Sequence, residues 1–273
     1  MPVSVKNFAT IPEAAGALTS DRTARYIGGG TLVMRALNEG DLSFSTIVRT
    51  QDPGLRTIRA SGGRITIGAG VTLAQILRER DLAFLHATAR SIGGPAVRNM
   101  GTVGGNLFAP APFGDLAVAL LALDATVSVQ GGYGTRDMAL EEFLAGRDRA
   151  AGSVVISVSC ERPASPEAFR YRKISRVKPK GASVISLAVH VPNVGGRVSG
   201  ARIAYGAMAP TAIRAKSAER ALEGRMLDES GIAAAVAAAS EGTAPATDAI
   251  ASAWYRREVV GVHLRRLLLG QEV

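Results

Sequence analysis

Cysteine and histidine are scarce in this chain of 273 residues, which contains one cysteine and three histidines. The single cysteine, Cys160, excludes an internal disulfide and any iron–sulfur cluster that is ligated wholly by this chain. It lies in a stretch where apolar residues alternate, so we predict a buried structural thiol. Because His86, His190 and His263 lack the spacing of metal ligands, we predict no metal site.

Long apolar runs are also absent. No stretch reaches the ~20 apolar residues that are needed to cross a bilayer, and we expect no membrane span. The N-terminal residues do not form a basic region followed by an apolar region, so no signal peptide is predicted. The expected location is cytoplasmic, although an exported partner could carry such a chain to the periplasm.

Acidic residues are outnumbered, since 32 Lys and Arg against 23 Asp and Glu give a formal net charge of +9. This excess indicates an anionic partner, which could be nucleic acid, an acidic protein surface or a phosphorylated cofactor. Aromatic residues make up 5% of the chain and are not interleaved with the basic residues, and no zinc-finger or helix-turn-helix pattern is present. We therefore predict no nucleic-acid partner.

The order of short strands and helices predicts an α+β fold with two domains. The polar, proline-bearing stretch 161–166 is the candidate linker. It separates an N-terminal domain, residues 1–163 with lobes at roughly 1–55 and 56–163, from a C-terminal domain, residues 164–273.

The N-terminal domain is predicted to contain two β-hairpins and two capped helices. The hairpins join residues 55–60 to 64–69 and 126–130 to 133–138, Thr72 caps a helix at 73–80, and Asp115 caps a helix at 116–123. In the C-terminal domain a three-stranded antiparallel sheet is predicted, with helices after it. Its strands lie at 169–174, 184–191 and 198–207, and the helices lie around 215–222, 231–240 and 252–269.

Two glycine-rich stretches are the candidate binding elements. The first is YIGGGTL, residues 26–32, in which a brief apolar strand enters three glycines and Thr31 adds a hydroxyl donor. Glycine permits positive φ and close approach, so backbone N–H groups can converge on an anion, although a tight turn would use the same glycines. The second is VRNMGTVGGN, residues 97–106. We expect it to form little secondary structure and to wrap a polar group, with a structural Ω-loop as the alternative.

Neither stretch is a standard nucleotide loop. No G-x-G-x-x-G follows a strand and opens a helix, and no Gly-Lys-Ser/Thr occurs, so the Rossmann fingerprint and the P-loop are both excluded. Two glycine loops that grip a diphosphate from both sides would be a different architecture. Because no His, Cys or carboxylate pair is placed as a nucleophile or general acid–base, we predict no catalytic side chain.

The two stretches resemble the FAD motifs of the flavoprotein subunit of the xanthine dehydrogenase and carbon monoxide dehydrogenase family. IGGGTLVM resembles the first motif, and SIGGPAVRNMGTVGGNLFAPAPFGDLAVALLALDATV resembles the second. The likeness covers nearly the whole chain. It extends to the hairpin and helix LRTIRASGGRITIGAGVTLAQI, the third block FRYRKISRVKPKGASVISLAV and the closing helix AWYRREVVGVHLRRLLL.

This resemblance implies a two-lobed FAD-binding domain of the vanillyl-alcohol oxidase/PCMH type and FAD as the cofactor. The two loops would hold the pyrophosphate, Asp115 would lie against the cofactor, and Ile92 and Val155 would lie near the isoalloxazine ring, where ordinary core residues would look the same. Lys173, or its neighbour Arg172, would place a cation that favours the anionic reduced flavin. The implied cofactor-binding residues are Tyr26, Ile27, Gly28, Gly29, Gly30, Thr31, Leu32, Val33, Ile92, Thr102, Val103, Gly104, Gly105, Asn106, Asp115, Val155 and Lys173.

The resemblance also implies partner subunits. A large molybdopterin-binding subunit would oxidise the substrate, and a small subunit with two [2Fe–2S] clusters would pass electrons to FAD, in a heterotrimer or a dimer of heterotrimers. Two departures stand out. Residues 176–181 read RVKPKG where the family usually has an acidic residue and small side chains, and the cysteine-bearing insertion that holds a [4Fe–4S] cluster in some members is absent.

Two other functions are compatible with the same loops. One is a stand-alone FAD-dependent oxidoreductase of the same broad fold, which would need catalytic polar groups in its C-terminal domain. The other is a non-enzymatic module that holds phosphate only. Flavin absorbance separates the last from the flavoproteins.

Overall fold

The computed structural model describes residues 3–178 and 181–271, so two residues of the divergent 176–181 segment lie outside the described part. The predicted mixture of strands and helices is confirmed. The strands are β1 (Ser4–Phe8), β2 (Ala24–Tyr26), β3 (Thr46–Thr50), β4 (Ile58–Ser61), β5 (Arg64–Gly68), β6 (Thr126–Gly131), β7 (Gly134–Ala139), β8 (Val154–Glu161), β9 (Phe169–Ser175), β10 (Ser183–His190), β11 (Asn193–Val194), β12 (Arg197–Val198), β13 (Arg202–Gly206) and β14 (Ile213–Arg214).

The helices are short in the first half of the chain and longer towards its end. The α-helices are α1 (Ile11–Ser20), α2 (Val33–Asn38), α3 (Leu73–Ile76), α4 (His86–Ser91), α5 (Pro95–Met100), α6 (Val103–Leu107), α7 (Asp115–Ala122), α8 (Leu140–Ala145), α9 (Lys216–Leu222), α10 (Glu229–Ala237) and α11 (Ala253–Leu268). Short 3-10 helices cover Pro53–Arg56, Arg80–Leu85, Arg147–Gly152 and Pro166–Ala168.

The chain forms two compact units, and neither is continuous in sequence. The first unit contains residues 1–79, 94–109 and 125–160, and the second contains 80–93, 110–124 and 161–273. The chain passes from the first unit to the second for the last time after residue 160, which is close to the predicted domain boundary near residue 163. The division into 1–163 and 164–273 stays a prediction. A sequence pattern cannot reveal that two short inner segments belong with the C-terminal half.

The first unit contains two sheets. In the smaller one, β3 lies between β1 and β2 and is parallel to both. The larger sheet has the strand order β4-β5-β8-β6-β7, and its hairpins β4–β5 and β6–β7 confirm the two predicted hairpins. The predicted cap at Thr72 is also confirmed, because its side chain accepts from Gln75 N in a capping box. The helix that follows ends at Ile76, which is earlier than predicted.

The second unit is built on an antiparallel sheet with the strand order β14-β13-β10-β9. The prediction of three strands was wrong, because β14 is a fourth. That strand comprises only Ile213 and Arg214, which pair with Tyr205 and Ala204. Two residues are too few to produce a recognisable alternation of apolar and polar side chains.

Strand β10 is central in this sheet, and all its residues are buried. One face of the sheet carries Ile185, Leu187 and Val189, which pack into an apolar core with residues of α9, α10 and α11. The other face packs against α7, a helix with every residue buried, and against α4. Helices on both faces explain why this strand reads as a nearly continuous apolar run rather than an alternating one.

Cys160 is buried, as predicted. No helix in the part of the chain that the structure describes has both the length and the apolar character needed to span a bilayer. The same described residues contain no group of three or more His, Cys, Asp and Glu side chains arranged to hold a metal ion.

The guanidinium of Arg256 joins helix α11 to the sheet of the second unit. This side chain is 1% exposed, and its Nε donates to the carbonyl oxygen of Val184 at 2.8 Å. Its terminal nitrogens donate to Asp248 Oδ2 at 2.9 Å and to the carbonyl oxygen of Ala251 at 3.1 Å. The charge is therefore surrounded by acceptors, which makes its burial tolerable.

We expect Arg256→Met to lower the free energy of unfolding by about 3 kcal/mol, since each buried acceptor left without its donor costs about 1–3 kcal/mol. Urea unfolding followed by circular dichroism measures this change. The matched control is Arg257→Met on the exposed side of the same helix, for which we expect a change within about 0.5 kcal/mol. Equal stability of the two variants would contradict a structural role for the buried guanidinium.

Candidate functional site

The first glycine loop leaves strand β2 and ends where α2 begins. The strand pairs with β3 up to Tyr26, and Ile27 N then donates to the carbonyl oxygen of Val48 at 2.9 Å. After that point the backbone N–H groups of residues 28–33 donate to no acceptor within the described residues. Residues 28–33 are exposed or half-buried, so these N–H groups are open to solvent and available to an acceptor from outside the chain.

The conformation of this loop suits an anion. Gly30 has a φ of 78°, in the left-handed region, so the backbone turns within the run of unpaired N–H groups. Successive N–H groups in such a turn form a concave nest that binds anionic oxygens. Burial raises the pKa of Tyr26, immediately before the loop, to about 12, so its hydroxyl stays neutral at physiological pH.

The structure brings the two glycine stretches into contact. A Cβ at Gly29 would lie 1.6 Å from the carbonyl oxygen of Met100, and a Cβ at Gly28 would lie 2.9 Å from Thr102 Oγ1. Any side chain at Gly29 would therefore force the backbones apart. The glycines of the first loop serve the contact between the loops as well as the turn.

The second glycine stretch is helical, so the prediction of little secondary structure was wrong. It forms α5 and α6, with Thr102 as the N-cap of α6 and its Oγ1 accepting from Gly105 N at 3.1 Å. Val103 N and Gly104 N donate to the carbonyl oxygens of Val71 and Ala69, each at 2.9 Å, and Asn106 N donates to that of Thr102 at 3.0 Å. These capping and tertiary bonds let glycines occupy a helical turn.

The two loops therefore differ in how many of their backbone N–H groups donate within the protein. In the first loop the N–H groups are unpaired, whereas those of residues 103–106 are already committed within the protein. The Thr102 N–H has no acceptor among the described residues. This arrangement fits one diphosphate held chiefly by the first loop, with the second loop as a buried support behind it.

Asp115 lies in the second unit and forms a buried ion pair with Lys173. The ammonium of Lys173 donates to Asp115 Oδ2 at 2.8 Å and to the carbonyl oxygen of Ser91 at 3.1 Å. The Lys173 and Asp115 side chains are 8% and 5% exposed. The hydroxyl of Ser183 donates to the other oxygen, Asp115 Oδ1, at 2.7 Å. The structure thus joins two predicted site residues through their side chains.

Asp115 does not cap its helix, which corrects that prediction. The N-cap of α7 is Gly114, with a φ of 91°, and Asp115 is the first helical residue. Its carboxylate oxygens instead accept from Lys173 and Ser183. An aspartate that precedes an apolar helix has the sequence pattern of a cap, but the tertiary partners take both of its oxygens here.

Tyr171 completes this polar cluster. Its hydroxyl lies 3.2 Å from Ser91 Oγ, in hydrogen-bond contact. Burial, and next the negative charge of Asp115, raise the pKa of Tyr171 well above its usual range, so the phenol stays protonated. A buried ion pair of this kind contributes little net stability, because desolvation of the two charges offsets their attraction.

The remaining predicted residues occupy ordinary positions. Leu32 is the N-cap of α2, Val33 is its first residue, and Ile92 follows α4 directly beside Ser91. Val155 is 4% exposed and pairs with Val129 in the larger sheet of the first unit. Three residues of the polar cluster were missed from the sequence: Ser91, Tyr171 and Ser183. The one available signal was a pair of serines within the largely apolar strand β10.

Similarity to known proteins extends over nearly the whole chain. Residues 3–160 match the family of the FAD binding domain in molybdopterin dehydrogenase, and residues 170–271 match the CO dehydrogenase flavoprotein C-terminal domain. The subunit alpha of the 6-hydroxypseudooxynicotine dehydrogenase complex from Paenarthrobacter nicotinovorans is 31% identical over 253 residues, which is 90% of this chain and 86% of that protein. The carbon monoxide dehydrogenase medium chain from Afipia carboxidovorans is 29% identical over 94% of this chain and 92% of that protein.

A solved structure agrees with these relatives. The carbon monoxide dehydrogenase from Hydrogenophaga pseudoflava contains a chain that superimposes with a TM-score of 0.90 at 26% identity, over 98% of this chain and 96% of that one. These matches define a flavoprotein subunit of FAD-containing dehydrogenases. The chain belongs to the xanthine dehydrogenase and carbon monoxide dehydrogenase family of molybdenum hydroxylases as its FAD-binding subunit, and its cofactor is FAD.

We expect Gly29→Ala to weaken FAD binding about ten- to hundredfold, because overpacking at a close backbone contact costs about 1–3 kcal/mol. The added Cβ would have to displace the carbonyl oxygen of Met100 and separate the two loops. Titration of the apo chain with FAD, followed by flavin fluorescence, measures the change.

The matched control is Gly16→Ala in the middle of α1, where an added Cβ meets nothing within 4 Å. This variant should bind FAD as the unmodified chain does and should be slightly more stable, since alanine favours a helix. Equal affinity of the Gly16 and Gly29 variants for FAD would contradict the role assigned to the loop contact.

Proposed function

We propose that the first glycine loop holds the diphosphate of FAD through its unpaired backbone N–H groups. The observation that carries this proposal is the run of free donors at residues 28–33, next to a conformation that concentrates them. Thr31 would add a hydroxyl. The second loop would supply Thr102 N–H and keep Gly104 and Gly105 close to the cofactor, as a rigid support.

We further propose that Asp115 and Lys173 also bind FAD. Asp115 can accept from cofactor hydroxyls only while it also binds Lys173, since both its oxygens already have donors. The ammonium of Lys173 has three N–H bonds, and two of them go to Asp115 and Ser91. The third would face the flavin. Ile92 and Val155 would supply apolar contacts to the ring.

The proposed role of the chain is electron transfer. Bound FAD would supply the redox chemistry, taking electrons from [2Fe–2S] clusters of a small partner subunit and passing them to an external acceptor. A large molybdopterin-binding subunit would carry out substrate oxidation, in a heterotrimer or a dimer of heterotrimers. The relatives described as a medium chain and as a subunit of a dehydrogenase complex support this assembly.

The finer assignment of the fold is also a proposal. We propose that residues 1–163 form a two-lobed FAD-binding domain of the vanillyl-alcohol oxidase/PCMH type, and that 164–273 form the C-terminal flavoprotein domain. Two separate sheets within the first unit support two lobes. The two matched families, which meet between residues 160 and 170, support the boundary.

Isolation of the tagged chain from its own cells under non-denaturing conditions tests this function. We expect FAD, molybdenum and iron to be recovered together, with about four iron atoms per flavin, the content of two [2Fe–2S] clusters. Metal analysis and flavin absorbance measure the three contents. Dissociation of the complex in high salt should leave this chain with its FAD and without either metal.

The result that contradicts the proposal is an FAD-loaded chain that is isolated without either metal and is reduced by a small-molecule donor. That result would favour a stand-alone oxidoreductase. A chain that retains no flavin and binds only inorganic phosphate would favour the non-enzymatic module instead.

A further inference from the structure

Ser183 occupies an irregular position at the start of strand β10. It pairs with Ser175, whereas the next pairs are Ile185 with Ile174 and Ser186 with Lys173, so the register shifts between residues 183 and 185. Residues three apart in a regular strand lie on opposite faces of a sheet. The bulge places Ser183 and Ser186 on one face, together with Lys173.

This placement gives Ser183 a specific partner. Its side chain is fully buried, and its hydroxyl donates to Asp115 Oδ1 at 2.7 Å. Ser186, which is equally buried on the same strand, has no bond to Asp115, and its hydroxyl lies near that of Tyr171. Of these two buried serines, only Ser183 donates to the carboxylate that holds Lys173.

The bond to Ser183 restricts what the carboxylate can do. Asp115 Oδ1 accepts from Ser183, so Oδ2 is the oxygen that binds the ammonium, at 2.8 Å. A rotation of the carboxylate would break both bonds at once. The carbonyl oxygen of Ser91 holds the ammonium from another direction, at 3.1 Å. The two acceptors, Asp115 Oδ2 and the carbonyl oxygen of Ser91, hold the Lys173 nitrogen in one position, and the hydroxyl of Ser183 fixes the orientation of the carboxylate.

We propose that Ser183 is a positioning residue that sets the orientation and the charge density of the Asp115–Lys173 pair, and thereby tunes the midpoint potential of the bound FAD. This inference rests on the proposed function, which puts Lys173 beside the flavin. The hydroxyl of Ser183 acts through Asp115 and does not itself touch the cofactor.

The direction of the effect follows from electrostatics. The positive end of the hydroxyl dipole offsets part of the carboxylate charge, in a buried site where such interactions are strong. Without this donor, Asp115 presents more negative charge and binds the ammonium more closely. A more negative surrounding disfavours the addition of electrons to the cofactor, so the midpoint potential falls.

The test compares Ser183→Ala with Ser186→Ala in the FAD-loaded full-length chain. For Ser183→Ala we expect the ratio of oxidised to reduced flavin at a fixed applied potential to rise about tenfold, or about 30 mV for a two-electron couple. Anaerobic titration with a reference dye measures this ratio, and flavin absorbance measures FAD content. Ser186→Ala should leave the ratio unchanged, since it removes a buried hydroxyl that has no bond to the carboxylate of Asp115.

Ser183→Cys provides a graded variant, because a thiol is a weaker donor than a hydroxyl, and we expect an intermediate shift. A shift of the same size in Ser183→Ala and Ser186→Ala, or no shift in either, overturns the positioning role while FAD binding stands. A chain that binds no FAD before any substitution overturns the proposed function itself. The positioning role is also overturned if Ser183→Ala alone loses FAD and the midpoint potential of Ser183→Cys is unchanged.

Discussion

The close approach of two backbones at Gly29 is the constraint on which the candidate site depends. With no side chain at this position, the loop after β2 lies against the carbonyl oxygen of Met100, where a Cβ would be 1.6 Å away. The second loop is itself held by bonds from Val103 and Gly104 to the backbone of residues 69–71. A first loop with unpaired donors can keep a defined shape because it rests on a loop in which residues 103–106 donate within the protein.

The second unit contains buried charges in a largely apolar structure. Strand β10 is covered on both faces, yet it carries Ser183 and Ser186 on the side that faces α7. The ion pair of Asp115 and Lys173 is possible there because each charge has further hydrogen bonds, from Ser183 and to Ser91. Such a pair costs desolvation energy, so its presence points to a function other than stability.

Local patterns in the sequence predicted the hairpins around residues 62 and 132, the capping box at Thr72 and the helices after residue 215, because each depends on neighbours in the chain. The fourth strand of the C-terminal sheet, at Ile213 and Arg214, was missed because it is too short to carry a pattern. Asp115 was predicted to be a helix cap, and tertiary bonds to Lys173 and Ser183 override that tendency. The polar cluster unites residues 91, 115, 171, 173 and 183, and only the fold brings such distant positions together.

Hydrogen–deuterium exchange of the chain, with and without saturating FAD, tests the central claim most directly. Unpaired N–H groups exchange rapidly, and the account predicts that FAD slows exchange strongly at residues 28–33. Residues 103–106, which already donate within the protein, should be protected in both states. Protection by FAD at residues 103–106 with none at 28–33 would contradict the claim that the first loop supplies the donors for the diphosphate.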